Sequence, residues 1–388
     1  MAGLRIVVLG MMGRAPFGGH VWLFLNWLRA LDRLGHEVWY VEDDTAWPYD
    51  PVQNTVTDDC SYAVEHIDAW MRAIGLPGRW AFRLADRQGA AWGLAPAALD
   101  RLYRDCDLLL NLEGGTILRD EHLAAPYRVY VETDPVIAEL ELAADPDARD
   151  PFVNHHVIAT YGENFGASDC NVPLDGRRYV KTRQAIDLDF WPDAGEPERG
   201  LFTTVGNYRQ EGEDREYQGE VYYWSKHVEW EKFLRLPKLT GQTFELAVGA
   251  SDEDRARLAA HGWRVVDPLQ MSLDILGAYP DYIRRSRAEF TVAKDMNVRL
   301  RSGWFSERDA CYLASGKPVV AQDTGFSNVL PTGAGLFSFS DLEAARAAVE
   351  EINADYGRHA RAAREVAQEH FEGSGVARRL LADLGLAP

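Results

Sequence analysis

"LRIVVLGMMGRAPFGGHVWLFLNWLRALDRLGHEVWYVEDD", residues 4–44, decides the fold class of this chain. It opens with a short apolar run that ends in glycine, which is typical of a buried strand. After a glycine-bearing loop, Leu23, Trp27 and Leu31 recur at helical spacing, and then Gly35 provides a helix stop. A second apolar strand follows and ends in acids. The order strand, loop, helix, strand predicts the start of a doubly wound α/β domain.

Short apolar segments that end in polar residues continue this pattern and repeat it after residue 200. They are CDLLLNLEG (106–114), YRVYVETD (127–134), LFTTVGNY (201–208), TFELAVGA (243–250), WRVVDPL (263–269), AEFTVAKD (288–295) and KPVVAQDT (317–324). A segment rich in proline, glycine and acids, at 182–200, separates the two halves as a predicted hinge. We therefore predict Rossmann-like domains over 1–190 and 191–372, which face each other across a cleft, and a final helical segment over 373–388.

Charge and cysteine usage disfavour several classes of function. The chain has 388 residues with 41 Lys and Arg against 60 Asp and Glu, a formal net charge of −19. This balance disfavours binding to nucleic acid or to an anionic membrane, because both need clustered positive charge. No apolar run approaches the length of a membrane span, and the start lacks the flanks of a signal peptide. The scattered cysteines indicate reduced thiols in a soluble, cytoplasmic protein without a zinc site: Cys60, Cys106, Cys170 and Cys311.

Known cofactor motifs are missing from the loops that could carry them. The glycines after the first strand do not form G-x-G-x-x-G, and neither G-x-x-x-x-G-K-[ST] nor G-x-S-x-G occurs. The adjacent pair His155 and His156 has no third ligand at zinc-binding spacing. The sequence therefore disfavours redox, P-loop and zinc chemistry.

The second half gathers cations, a glycine and a helix start around SGWFSERDACYLASGKPVVAQDTG, residues 302–325. Ser306 is a natural N-cap, and the N–H groups of a helix start can hold a phosphate. Nearby arginines and a lysine would add positive charge for a diphosphate. A cap alone would explain the serine and the acids that follow it. The candidate nucleotide-sugar residues are Gly206, Asn207, Lys294, Arg299, Arg301, Ser302, Gly303, Ser306, Glu307, Asp309 and Asp323.

The first half places polar residues at the same edge of its predicted sheet. His20 follows two glycines at the start of the first helix, where an imidazole would face the cleft as a general base. Asp134 follows a later strand and is the second catalytic candidate. A histidine at a helix start can also serve packing alone. Further acceptor-side candidates are Gly18, Gly19, Glu113 and Glu163.

The segments at 18–42, 302–326 and 333–352 resemble the glycosyltransferases of the GT-B fold. The chain is most similar to the retaining, sucrose-synthase-like branch (glycosyltransferase group 1), in an uncharacterised bacterial subgroup. The resemblance implies two Rossmann-like domains, a nucleotide-sugar site in the C-terminal one, catalysis without a bound metal or other cofactor, and a last helix that crosses back to the N-terminal domain.

One departure from that family concerns its pair of glutamates eight positions apart. The matching positions hold Gly303 and Cys311. Glu307 and Asp309 lie close by, but two residues along a helix correspond to about 200° of rotation, so neither is expected to substitute directly. Whether the configuration at the sugar is retained or inverted therefore stays open.

The resemblance and the residues together predict a metal-independent glycosyltransferase. It would move a sugar from UDP, TDP or GDP to a small-molecule acceptor, with His20 as base or as an orienting group. Two alternatives remain at this point. One is a nucleotide-sugar epimerase of the same fold, and the other is a non-catalytic relative that binds a nucleotide or a partner protein.

Overall fold

The computed structural model describes residues 3–85, 90–145 and 147–386. The outermost ends of the predicted domain ranges, 1–2 and 387–388, lie outside the described residues, as do 86–89 and 146 within the first range. Each half of the chain is built on its own sheet. The bounds 1–190 and 191–372 remain predictions.

The first half forms a sheet with strand order β10-β9-β8-β7-β1-β2-β5-β6, in which only β6 runs antiparallel to its neighbour. A two-stranded hairpin, β3–β4, stands apart from it. The strands are β1 (Arg5–Leu9), β2 (Glu37–Asp44), β3 (Tyr49–Asp50), β4 (Thr55–Val56), β5 (Trp80–Leu84), β6 (Ala90–Trp92), β7 (Leu108–Leu112), β8 (Arg128–Glu132), β9 (Val157–Thr160) and β10 (Tyr179–Lys181).

The second half forms a fully parallel sheet with strand order β15-β14-β11-β16-β17-β18. A hairpin, β12–β13, which the sequence pattern does not predict, follows β11 along the chain. The strands are β11 (Leu201–Asn207), β12 (Arg215–Tyr217), β13 (Glu220–Tyr222), β14 (Thr243–Gly249), β15 (Trp263–Val266), β16 (Ala288–Thr291), β17 (Val319–Gln322) and β18 (Leu336–Phe339).

Helices connect the strands and cover both sheets. The α-helices of the described residues are α1 (Gly18–Arg33), α2 (Ser61–Ala73), α3 (Pro96–Asp105), α4 (Ile137–Ala144), α5 (His227–Phe233), α6 (Leu236–Thr240), α7 (Asp252–Ala260), α8 (Leu269–Leu273), α9 (Ala278–Arg285), α10 (Asp295–Leu300), α11 (Glu307–Ala314), α12 (Leu342–Ala354), α13 (Tyr356–Val366) and α14 (Gly373–Asp383). Short 3₁₀ turns occupy His122–Ala124 and Phe326–Asn328, and a π-helical turn occupies Ala367–Phe371. None of the helices in the described part of the chain is long and apolar enough to cross a membrane.

Strand order reverses beside the first strand of each sheet. In the first half the chain adds β2 and β5 on one side of β1 and then β7, β8 and β9 on the other. In the second half it adds β14 and β15 beside β11, and then β16 and β17 on the opposite side. A crevice opens at such a switch point, outside the carboxyl ends of the strands. The predicted doubly wound α/β architecture is confirmed.

Helix α1 is apolar on nearly all sides because it lies between the two halves. Trp22 and Trp27 are buried, and Trp22 donates a hydrogen bond through Nε1 to the carbonyl of Ile275 in the second half at 2.8 Å. The last helix, α14, returns to the first half and packs on α1. Before it, the chain pairs with the hinge, where the Ile186 N–H donates to the Phe371 carbonyl at 2.8 Å.

A second junction between the halves depends on a glycine. Gly303 has a φ of +83°, and a Cβ at this position would lie 2.2 Å from the backbone nitrogen of Asn164. That nitrogen donates to the carbonyl of Ser302 at 3.1 Å. Glycine is therefore required here both by conformation and by the close approach of two backbones.

We predict that Gly303→Ala destabilises the protein by about 2–4 kcal/mol, because it adds backbone strain and a clash across the junction. Gly195→Ala is the matched control, since Gly195 also has a positive φ (+62°) but no atom lies within 4 Å of its Cβ position. Urea unfolding of both variants measures the difference. Equal losses of unfolding free energy would show that the junction tolerates the methyl group.

Candidate functional site

A cleft of about 800 Å³ lies between the carboxyl ends of the two sheets and is lined by both halves. The first half contributes the loop before α1, the start of α1 and the ends of β7 and β8. The second half contributes the ends of β11 and β14 and the start of α11. Predicted residues that line it are Gly18, Gly19, His20, Glu113, Asp134, Gly206, Asn207, Ser306 and Glu307.

Another hollow, of about 660 Å³, lies on the outer part of the first half, where Asp59, Glu65 and Trp92 line it. Its charged lining residues are acids, so it would repel a phosphate. It is also lined by the first half alone. The cleft between the sheets is therefore the better candidate for a functional site.

His20 and Glu113 form a pair on the first-half wall of the cleft. The two side chains come from opposite sides of the switch point, since His20 begins α1 and Glu113 directly follows β7. His20 Nδ1 lies 3.2 Å from Glu113 Oε2. Burial raises the pKa of Glu113, although the nearby His20 opposes the shift. Glu113 also has a φ of +61°, an uncommon conformation for a residue other than glycine.

Asp134 and Lys294 connect the two walls. The Lys294 ammonium donates to Asp134 Oδ2 and also lies 4.2 Å from the ring centre of Trp224. Lys294 directly precedes α10 and is buried. The pair links the ends of β8 and β16, so a positive charge is held at the second-half switch point.

Arg308 provides a second fixed cation, in the first turn of α11. Its guanidinium donates to the Val205 carbonyl at 2.5 Å and to Thr291 Oγ1 at 2.8 Å, and it forms an ion pair with Glu289. Burial disfavours the charged guanidinium, but Glu289 and Asp309 outweigh that effect and raise its pKa. Ser306 caps the same helix by accepting from the Arg308 N–H at 3.2 Å.

Lys226, just before α5, provides a third cation. Its ammonium lies 5.4 Å from the ring centre of Trp304. Burial lowers the pKa of Lys226 to about 7, and the neighbouring charges of Arg308 and Lys294 lower it further. A lysine in this state gains its charge readily when an anion arrives. Neither Lys226 nor Arg308 is among the predicted site residues. Lys226 lies in no motif, and Arg308 lies in the 302–325 segment, where only the residues around it were selected.

Glu307 extends from the start of α11 toward the first half. Asn26 of α1 donates through Nδ2 to Glu307 Oε1 at 2.7 Å, and its own Oδ1 accepts from the Asp187 N–H at 3.1 Å. Burial raises the pKa of Glu307 to about 8. Glu307 lies one helical turn before Cys311, so it shares that face of α11.

Several predicted residues lie away from the lining of the cleft. Arg299 pairs with Glu220 at 2.9 Å and covers the Tyr222 ring, on the β12–β13 hairpin. Arg301 pairs with Asp169 at 2.7 Å and with Asp323 at 3.1 Å.

Four further candidates serve internal contacts. Glu163 pairs with Arg183 at 2.6 Å. The Gly303 N–H donates to the Thr324 carbonyl at 2.8 Å, and Ser302 Oγ donates to Asn297 at 2.6 Å. Asp309 is buried beside Arg308. The structure thus assigns these groups to the junction and the core, and the cleft receives other cations.

Among the described residues, the one set of side chains spaced for a metal ion lies outside the cleft. It consists of Asp43, Glu121 and His122. Arg83 and Arg119 both form ion pairs with Asp43. This carboxylate is already neutralised by two arginines, which would repel a cation.

Neither a protein-family model nor a curated protein matches the sequence. Solved structures do match the fold over nearly its full length. An alpha-glucosyltransferase in complex with UDP and a 13-mer DNA has a TM-score of 0.59 at 12% identity, over 98% of this chain and 99% of that one. HepE from Anabaena, in complex with UDP and glucose, has a TM-score of 0.55 at 12% identity, over 98% and 99%.

AviGT4, a glycosyltransferase involved in avilamycin A biosynthesis, has a TM-score of 0.53 at 14% identity, over 98% of this chain and 96% of that one. These likenesses agree with the two facing doubly wound sheets described above. The fold of the chain is GT-B.

We predict that Arg308→Met destabilises the protein by about 3–5 kcal/mol, because it leaves the buried Glu289 without its guanidinium partner. Adding Glu289→Gln to this variant removes the unpaired carboxyl group. It is expected to restore part of the unfolding free energy that Arg308→Met loses. Chemical unfolding of the single and double variants measures both effects. A double variant less stable than the single one would contradict this account of the pair.

Proposed function

We propose that this protein is a metal-independent glycosyltransferase that moves a sugar from a nucleoside-diphosphate sugar to a small-molecule acceptor. The observation that carries the proposal is the distribution of charge in the cleft. Three cations lie at the second-half side, Arg308 in the lining itself and Lys226 and Lys294 behind the lining residues Trp304 and Trp224, and a His–Glu pair lies on the first-half side. A leaving diphosphate needs the positive charge of the cations, and an attacking hydroxyl group needs a base such as the His–Glu pair. The matching folds crystallised with UDP support the choice of donor.

The diphosphate would lie at the start of α11, between Lys226, Lys294 and Arg308. The helix end adds the partial positive charge of its N–H groups. Charge-assisted hydrogen bonds from these groups would stabilise the negative charge that develops as the glycosidic bond breaks. This amount of protein-supplied charge supports catalysis without a divalent cation.

His20 would act on the acceptor. Its Nε2 would take the proton of the acceptor hydroxyl group as that oxygen bonds to the anomeric carbon, while the bond from that carbon to the diphosphate breaks. Glu113, on the Nδ1 side, would orient the ring and stabilise the imidazolium that forms. The pair then returns the proton to water after the products leave.

The acceptor is proposed to be a small molecule and not a nucleic acid. Matching structures of an alpha-glucosyltransferase contain DNA. This chain, however, has a net charge of −19, and the acceptor side of its cleft holds Glu113 and Asp134. Phosphate backbones bind surfaces rich in Lys and Arg. The scattered cysteines support a cytoplasmic location, where thiols stay reduced.

The direct test is calorimetric titration with UDP, TDP, GDP and NAD, in EDTA and again with magnesium. We expect one nucleoside diphosphate to bind at micromolar concentration equally well in both. Binding of NAD alone would contradict the proposal. Product analysis then shows whether transfer requires an acceptor, and release of an epimerised donor in its absence would favour the epimerase alternative.

We predict that His20→Ala lowers turnover by about 10²–10⁴-fold, the usual contribution of a general base. Glu113→Gln should lower it less, because the imidazole remains in place. Donor affinity, measured by calorimetry, should stay within about twofold in both variants. Turnover unchanged in His20→Ala would remove this residue from the mechanism.

We predict that affinity for UDP-glucose falls about tenfold between pH 6 and 8, because the free Lys226 ammonium loses its proton near pH 7. The phosphates of this donor keep a constant charge over that range. Arg308, Lys294, Asp134 and Asp309 also face Lys226, and Glu113, Glu289 and Glu307 titrate nearby, so Lys226→Arg serves as the control. The arginine keeps its charge, and its profile should be clearly flatter. Identical profiles would exclude Lys226 from the donor site.

A further inference from the structure

Four polar atoms of residues that line the cleft are buried and make no hydrogen bond. They are His20 Nε2, Asp134 Oδ1, Glu307 Oε2 and Glu113 Oε2, the last of which has only its ion-pair contact with His20 Nδ1. Buried polar groups without partners are uncommon, because each costs about 1–3 kcal/mol. Their concentration in one cleft indicates a ligand that offers several hydrogen-bonding groups. A sugar ring is such a ligand.

Glu307, on the second half, is held by a hydrogen bond from the first half. Its Oε1 atom accepts from Asn26, whose side chain is in turn fixed by the Asp187 N–H. Asn26 is fully buried in α1. The carboxyl group therefore has one orientation, with Oε1 occupied and Oε2 left without a hydrogen-bond partner beside the cleft.

The position of Glu307 relative to the proposed reaction places it beside the sugar. It is the residue next to Arg308, on the side of the diphosphate, and it interacts electrostatically with Glu113, on the side of the acceptor. The transferred sugar must lie between those two sides. A group fixed there contacts the ring of the donor and not its base.

We propose that Glu307 is a specificity-determining residue that donates a hydrogen bond from Oε2–H to one hydroxyl group of the transferred sugar. The inference rests on the proposed function and adds to it a class of donor, namely hexoses that keep this hydroxyl group. A sugar that lacks the hydroxyl group at that carbon would leave the buried carboxyl group without a hydrogen-bond partner and would bind more weakly. Near pH 7 the raised pKa of Glu307 keeps the carboxyl group protonated, as the bond requires.

The experiment compares Glu307→Gln with Glu307→Leu. A glutamine can accept from Asn26 and donate through its amide, so it reproduces the protonated acid, whereas leucine can do neither. Glu343→Gln is the matched control, because Glu343 is an exposed acid on α12 that pairs with Arg346, away from the cleft lining. Thermal melting verifies that every variant is folded.

Calorimetry at pH 7 then measures UDP and GDP and, for each, the corresponding glucose, galactose or mannose conjugate. The quantity of interest is the ratio of sugar-nucleotide affinity to nucleotide affinity. We expect Glu307→Leu to lower this ratio about tenfold, with UDP or GDP affinity unchanged, and Glu307→Gln and Glu343→Gln to preserve it.

A second measurement raises the pH to 9. The ratio should fall in the native protein, where Glu307 loses its proton, and stay constant in Glu307→Gln. Any effect of Lys226 or Glu113 is common to both proteins and cancels in the comparison.

Three outcomes overturn the inference, and they are distinguishable. An unchanged ratio in Glu307→Leu, with nucleotide still bound, overturns it while the proposed function stands. The second outcome is that the affinity ratio falls in Glu307→Gln but rises with pH in the native protein. It would mean that an ionised carboxylate accepts the hydrogen bond, which contradicts the proposed donor role. Absence of nucleotide binding by the native protein rejects the proposed function, and the inference with it.

Discussion

The packing of α1 between the two sheets is the constraint on which the rest of the structure depends. This helix begins at the first-half switch point and contacts the second half along its length, through Trp22 to the Ile275 carbonyl and through Asn26 to Glu307. Because buried side chains pack in one arrangement, these contacts fix the angle at which the halves meet. They also bring the start of α1 opposite the start of α11, so two positive helix ends face one cleft.

Charge inside the cleft is compensated before any ligand binds. Lys294 pairs with Asp134, and Arg308 pairs with Glu289. Cations gathered without such partners would repel one another and disfavour folding. A diphosphate must compete with these carboxylates, and its own two charges allow it to do so. Lys226 avoids the same repulsion differently, since its pKa near 7 lets it stay partly neutral until an anion arrives.

The sequence could predict those parts of the site that backbone position alone decides. Residues that follow a parallel strand lie at one edge of the sheet, so His20, Glu113 and Asp134 were placed correctly on the cleft wall from strand order and spacing. Apart from Lys294, it could not predict which cations reach the cleft. Arg299 lies at the end of the six-residue helix α10 and Arg301 in a left-handed turn, and both point toward other partners.

The amino-acid sequence by itself determined the two doubly wound halves, because hydrophobic periodicity and glycine stops are local signals. The GT-B architecture was implied by the resemblance of three segments to that family, and the β12–β13 hairpin was not predicted. Only the tertiary structure decided that Lys226, Arg308 and Asn26 belong to the site. Their roles depend on which neighbours surround each side chain, and those neighbours come from distant segments of the chain. The asparagine within an apolar helix is the single local sign of such a contact, since a buried amide requires a partner.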